Sequence, residues 1–149
     1  MKKALIITLI AALAPVLHAD EPYNHPQRQV LRAARSGDAA LKALLNQGVN
    51  INATDNDGET ALMEAADSRN AEAVRVLIAN GANVNAADED GETALMIAAD
   101  EGNVEAVRIL IEAGANLNAR DEDGETALDK ALDERNHQVV ELLRAAGAR

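Results

Sequence analysis

Three acidic segments contain the residues of this chain that are best suited to chemistry. DEDGETAL occurs at Asp88–Leu95 and Asp121–Leu128, and DNDGETAL occurs at Asp55–Leu62. An EF-hand calcium loop needs oxygen ligands at positions 1, 3 and 5, glycine at 6 and a bidentate glutamate at 12. With each glycine placed at position 6, position 1 is alanine in every segment, and only Glu64 supplies an acid at position 12. We therefore expect no EF-hand and no bound cofactor, while weak calcium binding between neighbouring acidic turns stays open.

The sequence gives little support to a catalytic function. Acid–base or nucleophilic catalysis requires a convergent set of groups. The chain has three histidines and no cysteine, Ser36 and Ser68 have no histidine close in sequence, and GETAL lacks the lysine of a phosphate-binding loop. We predict that the protein is not an enzyme and has neither catalytic residues nor metal ligands.

Composition limits the possible partners. The chain has 149 residues and a net charge of −11, which argues for one domain and against binding nucleic acid or an anionic membrane by charge. It has no Cys, Trp or Phe and one Tyr, so the core must be aliphatic and without disulfides. A basic protein or cations would be attracted to it.

The N-terminus has the pattern of a secretory signal peptide. Lys2 and Lys3 precede the apolar run Ala4–Leu13, which is too short to span a bilayer core of about 30 Å. We predict a signal peptide over 1–19, cut after Ala19, although Leu17 is large for its place, and a leader over 20–26. The Ala12-Leu13-Ala14 alternative is followed by proline. The mature chain is then periplasmic or secreted and not inserted in a membrane.

A 33-residue period organises the rest of the chain. Gly58, Gly91 and Gly124 recur at this spacing, and the similarity extends far beyond the acidic segments. Within one period, Thr60 can cap a short first helix, a second helix follows over about Ala71–Ala79, and Gly81 can end it in a left-handed conformation. Neither helix can bury its apolar face alone, so the units are expected to stack.

These units resemble the ankyrin repeat, which opens D-x-x-G-x-T-P-L-H-x-A and closes G-A-x-V-N-A. The chain has the openings D-N-D-G-E-T-A-L-M-E-A, D-E-D-G-E-T-A-L-M-I-A and D-E-D-G-E-T-A-L-D-K-A, and the closes G-A-N-V-N-A and G-A-N-L-N-A. The resemblance covers 27–149. It implies an all-α ankyrin-repeat solenoid of about four 33-residue helix-turn-helix units joined by β-turn fingers, at about 27–54, 55–87, 88–120 and 121–149.

Three positions depart from the family pattern. Alanine replaces its proline in all three full units, and this should cost little because alanine favours helices. Met63, Met96 and Asp129 replace its histidine, which ties neighbouring loops together, so that bond is in doubt. Arg69 and Arg135 stand where Gly102 keeps the usual glycine, and specificity is expected near these variable positions.

The resemblance implies a non-catalytic, monomeric protein-binding module that uses its finger tips and first helices on a concave surface. Two envelope roles fit, inhibition or immunity against a basic protein and assistance to an envelope or stress-defence enzyme. The alternatives are a calcium-dependent or a purely structural acidic repeat protein, since the tips are nearly identical and lack aromatic anchors. The predicted contact residues are Asn56, Asp57, Glu59, Met63, Asp67, Ser68, Glu89, Asp90, Glu92, Met96, Asp100, Glu101, Glu122, Asp123, Glu125, Asp133 and Glu134.

Overall fold

A computed structural model of the chain describes residues 26–36 and 38–149. The predicted signal peptide, and the predicted leader up to residue 25, lie outside these residues. No helix in the described part of the chain is both long enough and apolar enough to cross a membrane.

The described residues fold into paired helices without a β-strand. Isolated bridges join Thr54 to Thr60 and Ala87 to Thr93 at the base of two turns. The prediction of an all-α solenoid is therefore confirmed. The helices are α1 Pro26–Ser36, α2 Asp38–Leu45, α3 Ala61–Asp67, α4 Ala71–Ala79, α5 Ala94–Asp100, α6 Val104–Glu112, α7 Ala127–Asp133 and α8 His137–Ala146.

The helices form two rows. The inner helices α1, α3, α5 and α7 pack against each other in chain order, the outer helices α2, α4, α6 and α8 do the same, and each inner helix packs on its own outer partner. Leu62, Leu77, Leu95 and Leu110 lie between the rows and are at most 1% exposed. Burying one such leucine contributes about 1.5–3 kcal/mol, so the aliphatic core stabilises the stack without any aromatic residue.

Threonine begins each of the three regular inner helices. The Oγ1 atoms of Thr60, Thr93 and Thr126 accept hydrogen bonds from the N–H three residues later, at 3.3, 3.4 and 3.2 Å. These bonds satisfy N–H groups that have no partner in the first helical turn. The predicted cap at Thr60 is confirmed, and α4 has the predicted bounds.

A left-handed glycine follows α4, as the sequence predicts. Gly81 has φ +93°. The N–H of Gly81 donates to the carbonyl of Ile78 at 3.1 Å, and the N–H of Ala82 donates to that of Leu77 at 3.0 Å. The turn thereby satisfies two carbonyls at the helix end and redirects the chain toward the next finger.

Candidate protein-binding surface

An aspartate braces each finger, the turn that precedes an inner helix. Oδ1 of Asp88 accepts hydrogen bonds from the N–H groups of Asp90 and Glu92 at 3.0 and 2.9 Å. Asp55 and Asp121 make the same pair of bonds. These carboxylates are therefore directed at their own backbone. Within the described residues, no three acidic or histidine side chains are grouped so that they could hold a metal ion.

Neighbouring fingers are tied together by their backbones. The N–H of Glu89 donates to the carbonyl of Asp57 at 3.0 Å, and the N–H of Glu122 donates to that of Asp90 at 2.9 Å. The fingers are thus joined although methionine and aspartate replace the family's histidine.

Three asparagines at the same place in successive units add a second tie between units. Asn52, Asn85 and Asn118 each accept a hydrogen bond at Oδ1 from a backbone N–H of the following unit, at 2.7, 2.7 and 3.0 Å. Sequence reasoning missed this role. The signal that could have revealed it is the last asparagine of the closes G-V-N-I-N-A, G-A-N-V-N-A and G-A-N-L-N-A, which recurs at each of these three unit boundaries.

Most of the predicted contact residues lie on the surface. We call this side the inner surface, meaning the finger tips and the exposed side of the inner helices. The exposed members are Asn56, Asp57, Asp67, Glu89, Asp90, Asp100, Glu122, Asp123, Asp133 and Glu134, and the half-buried members are Glu59, Ser68, Glu92, Glu101 and Glu125.

Met63 and Met96 do not belong to the inner surface. Each is only 1% exposed and is part of the hydrophobic core. The third residue of a short inner helix packs between neighbouring units, so neither side chain is an exposed contact as predicted, and only Met63 reaches the pocket described below. Asp129, at the same place in the last unit, accepts hydrogen bonds from both N and Oγ1 of Thr126 at 2.9 Å, which lower its pKa.

Arg35 introduces a positive charge near the first finger. Its Nε donates to Oε1 of Glu64 at 2.5 Å, and the Glu64 side chain is only 10% exposed. This hydrogen bond raises the pKa of Arg35. The inner surface is therefore not acidic along its whole length. Ile97 and Lys130 take the place of Glu64 in the next two units, so the pair is not repeated and the 33-residue period does not reveal it.

Lys130 joins the last two fingers. Its Nζ lies 2.7 Å from Oε1 of Glu92, 3.0 Å from Oδ2 of Asp121 and 3.7 Å from Oε2 of Glu125. Burial lowers the pKa of Lys130, but the hydrogen bonds to Glu92 and Asp121 outweigh it, and the pKa is raised. Burial likewise raises the pKa of Asp121, but the Glu125 N–H and Lys130 lower it overall. We call this group the lysine clasp.

A pocket of about 180 Å³ opens between α3 and α5 on the inner surface. Met63 and Ile97 give it apolar lining, and Arg35 lies at one side. Burial, followed by the charges of Asp55 and Glu64, raises the pKa of Glu59. Such a pocket is suited to a cationic group with an apolar stem. The carboxylates that line it are Glu59, Glu64, Asp67, Glu92, Asp100 and Glu101.

The outer helices differ from the inner surface because acidic and basic side chains alternate on them and form ion pairs. Arg75 lies between Glu72 and Glu105 and pairs with both, and Arg108 also pairs with Glu105. On the inner surface, by contrast, Asp67 and Asp100 have no ion-pair partner among the described residues. The rim of the pocket therefore carries two exposed carboxylates that no described cation neutralises.

Comparison with protein-family models gives two matches. A model described as ankyrin repeats (3 copies) matches residues 17–88, and one described as ankyrin repeats (many copies) matches residues 77–131. The two segments overlap, and together they run from residue 17 to residue 131. Among the curated proteins, none matches the chain.

Proposed function

Because the chain belongs to the ankyrin repeat family, whose members are generally non-catalytic modules that bind other proteins, we propose that it binds a basic protein across its inner surface. One observation carries the proposal. Carboxylates without ion-pair partners gather around the pocket between α3 and α5, whereas the acids of the outer helices at Glu72 and Glu105 are paired. A basic partner would supply the missing charge.

Electrostatics supports this use of the surface. Like charges held near each other oppose folding, and the raised pKa of Glu59 reflects both its burial and its acidic neighbours. A partner with complementary charge would relieve that repulsion and would be steered toward the surface at low salt. The affinity should therefore fall as salt is added, because exposed charges are screened beyond about 8 Å at physiological ionic strength.

The setting of this binding follows from the N-terminal segment. Lys2, Lys3 and the apolar run after them support export, so the partner would lie in the periplasm or outside the cell. In one role a monomer covers and inhibits a basic enzyme or toxin. In the other it holds or protects an envelope or stress-defence enzyme. The activity of the partner, which falls on binding only in the first role, distinguishes the two.

A charge reversal tests the proposed surface. The mature chain is used to capture partners from an envelope extract, and the captured protein is then titrated with wild type and with the variant Asp100→Lys plus Glu101→Lys. We expect the variant to bind at least about tenfold more weakly, since it replaces attraction with repulsion beside the pocket.

The matched control is Glu112→Lys plus Glu141→Lys on the outer helices. It makes the same change in net charge, and both residues are exposed without an ion-pair partner in the described part of the chain. Full affinity is expected for this control. If the Asp100 and Glu101 variant also binds with full affinity, the inner surface is not the contact, and its acids serve solubility alone.

A further inference from the structure

Glu64 is a buried carboxylate whose hydrogen-bonding capacity is only partly used. Its side chain is nine-tenths buried, Oε1 accepts from Arg35, and no described residue donates a hydrogen bond to Oε2. A carboxylate can accept about four hydrogen bonds. Glu64 lines the pocket between α3 and α5, so a donor that enters the pocket can complete its set of bonds.

Ile97 supplies an apolar surface in the same pocket. Glu64, Ile97 and Lys130 hold the same place in three successive inner helices, so an apolar residue stands between two charged ones. Ile97 is half-buried. A ligand with an apolar stem can cover it and remove its remaining exposed area from water.

Intramolecular cations limit where the free acidic charge lies. Lys130 forms an ion pair with Glu92, and Nε of Arg69 lies 3.5 Å from Oε2 of Glu101. Asp67 and Asp100, exposed at the ends of α3 and α5, keep no such partner among the described residues. These two carboxylates therefore place negative charge that a partner can neutralise at the rim of this pocket, while the other exposed acids of the inner surface lie on finger tips or at the end of α7.

We propose that this pocket receives one arginine side chain of the protein partner. The guanidinium donates to Oε2 of Glu64 and to the carboxylates of Asp67 and Asp100, and its methylene stem covers Ile97. Arginine suits the pocket better than lysine because its planar group presents five donors and is more weakly hydrated. This inference rests on the proposed binding of a basic protein and assigns the contact to one place.

A peptide titration tests the arginine site. The ¹⁵N-labelled protein is titrated with the acetylated, amidated peptide Gly-Ser-Gly-Arg-Gly-Ser-Gly and with its citrulline counterpart, which has nearly the same shape without the charge. We expect the arginine peptide to shift amide resonances in the segments 64–68 and 97–101, and the citrulline peptide to bind at least about fivefold more weakly.

Three variants with equal charge change locate the contact. Asp67→Asn plus Asp100→Asn should weaken arginine-peptide binding by at least about fivefold, which corresponds to roughly 1 kcal/mol. Asp133→Asn plus Glu134→Gln, at the end of the inner surface, should weaken it less than about twofold. Glu112→Gln plus Glu141→Gln on the outer helices should leave it unchanged. Circular dichroism confirms that each variant is folded.

Other results would overturn the arginine site. They are no shift with the arginine peptide, equal affinity for the citrulline peptide, equal weakening by the Asp133 and Glu134 pair, or displacement of the peptide by an equal concentration of calcium ions. None of these results removes the proposed protein binding, which fails separately if the captured partner is insensitive to reversal at Asp100 and Glu101.

Discussion

The octet DEDGETAL at Asp88–Leu95 is identical to the octet at Asp121–Leu128, yet the two fingers have different surroundings. At Gly91, an added Cβ would lie 3.1 Å from Cα of Asp121 in the next finger, whereas at Gly124 no atom would lie within 4 Å. Both glycines have positive φ, +78° and +81°. Both glycines therefore permit the left-handed turn. Only Gly91 also leaves room for the backbone of the next finger.

The aspartates that brace the two fingers also have different surroundings. Asp88 and Asp121 both brace their turns, but the Asp121 side chain is only 3% exposed and also bonds Lys130. The place of Lys130 in the preceding unit belongs to Ile97. The backbone of Glu122 and the clasp at Lys130 join the two fingers, but only in the final finger does the aspartate that braces the turn also pair with a lysine. Substitutions in the two fingers should therefore differ in predictable ways.

The largest difference is expected at the glycines. Gly91→Ala should lower the free energy of unfolding by about 3 kcal/mol, because a left-handed residue costs roughly 1–2 kcal/mol and the new methyl group also overlaps the next finger. Gly124→Ala has only the first cost and should lose about 1–2 kcal/mol. Denaturant unfolding measures both values. Equal losses would contradict the view that the following unit makes the difference.

The lysine clasp should have the next largest effect. Lys130→Met removes the partner of a nearly buried Asp121, and we expect a loss of about 2 kcal/mol. The loss is smaller than for a fully buried pair because Asp121 keeps two backbone hydrogen bonds and Glu125 is partly exposed. The control Lys42→Met changes an exposed lysine on α2 and should stay within about 0.5 kcal/mol. If both variants lose the same stability, the clasp does not stabilise the fold.

The smallest effect is a pH dependence of opposite sign in two fingers. The pKa of Glu59 is raised, so its contribution to stability is complete below its ordinary value of 4.5 and is lost as the pH rises through the raised value. The pKa of Asp121 is lowered, so its contribution is complete above its ordinary value of 3.8 and is lost as the pH falls through the lowered value.

Acidification from neutral pH should therefore first relieve repulsion at Glu59 and later weaken the final finger. At pH 7, Glu59→Gln should raise the free energy of unfolding by less than about 0.5 kcal/mol, and this gain should vanish as the pH falls toward 4.5. Asp121→Asn should instead destabilise the protein at pH 7, and by less as the pH falls below 3.8. Unfolding curves measured between about pH 3 and 7 check both signs. A gain for Glu59→Gln that is independent of pH would contradict this assignment.

The sequence predicts much of this fold because its signals are local and repeated. The threonine caps, the left-handed glycine after α4 and the aspartate that braces each finger depend on residues within a few positions of one another. For this reason α4 has the predicted bounds, Ala71–Ala79. The number and stacking of units follow from the period, because each helix pair needs a neighbour to cover its apolar face.

The site is less predictable because it depends on pairs that cross units. Arg35 pairs with Glu64, and Glu92 pairs with Lys130, but the residues at the place of Glu64 and Lys130 differ from unit to unit, so neither pair is repeated. Sequence alignment of the units places Met63 and Met96 at a position that contacts the neighbouring loop in the family. Only the packing of the inner helices shows that these two side chains are buried and the inner surface excludes them.

We propose above that the acidic inner surface contacts a basic partner. The most direct measurement is calorimetry of the captured partner with wild type and with Asp100→Lys plus Glu101→Lys, each at low and at physiological salt. We expect salt to weaken wild-type binding, and we expect the variant to bind at least about tenfold more weakly at low salt. Equal affinity of the two proteins at both salt concentrations would contradict it.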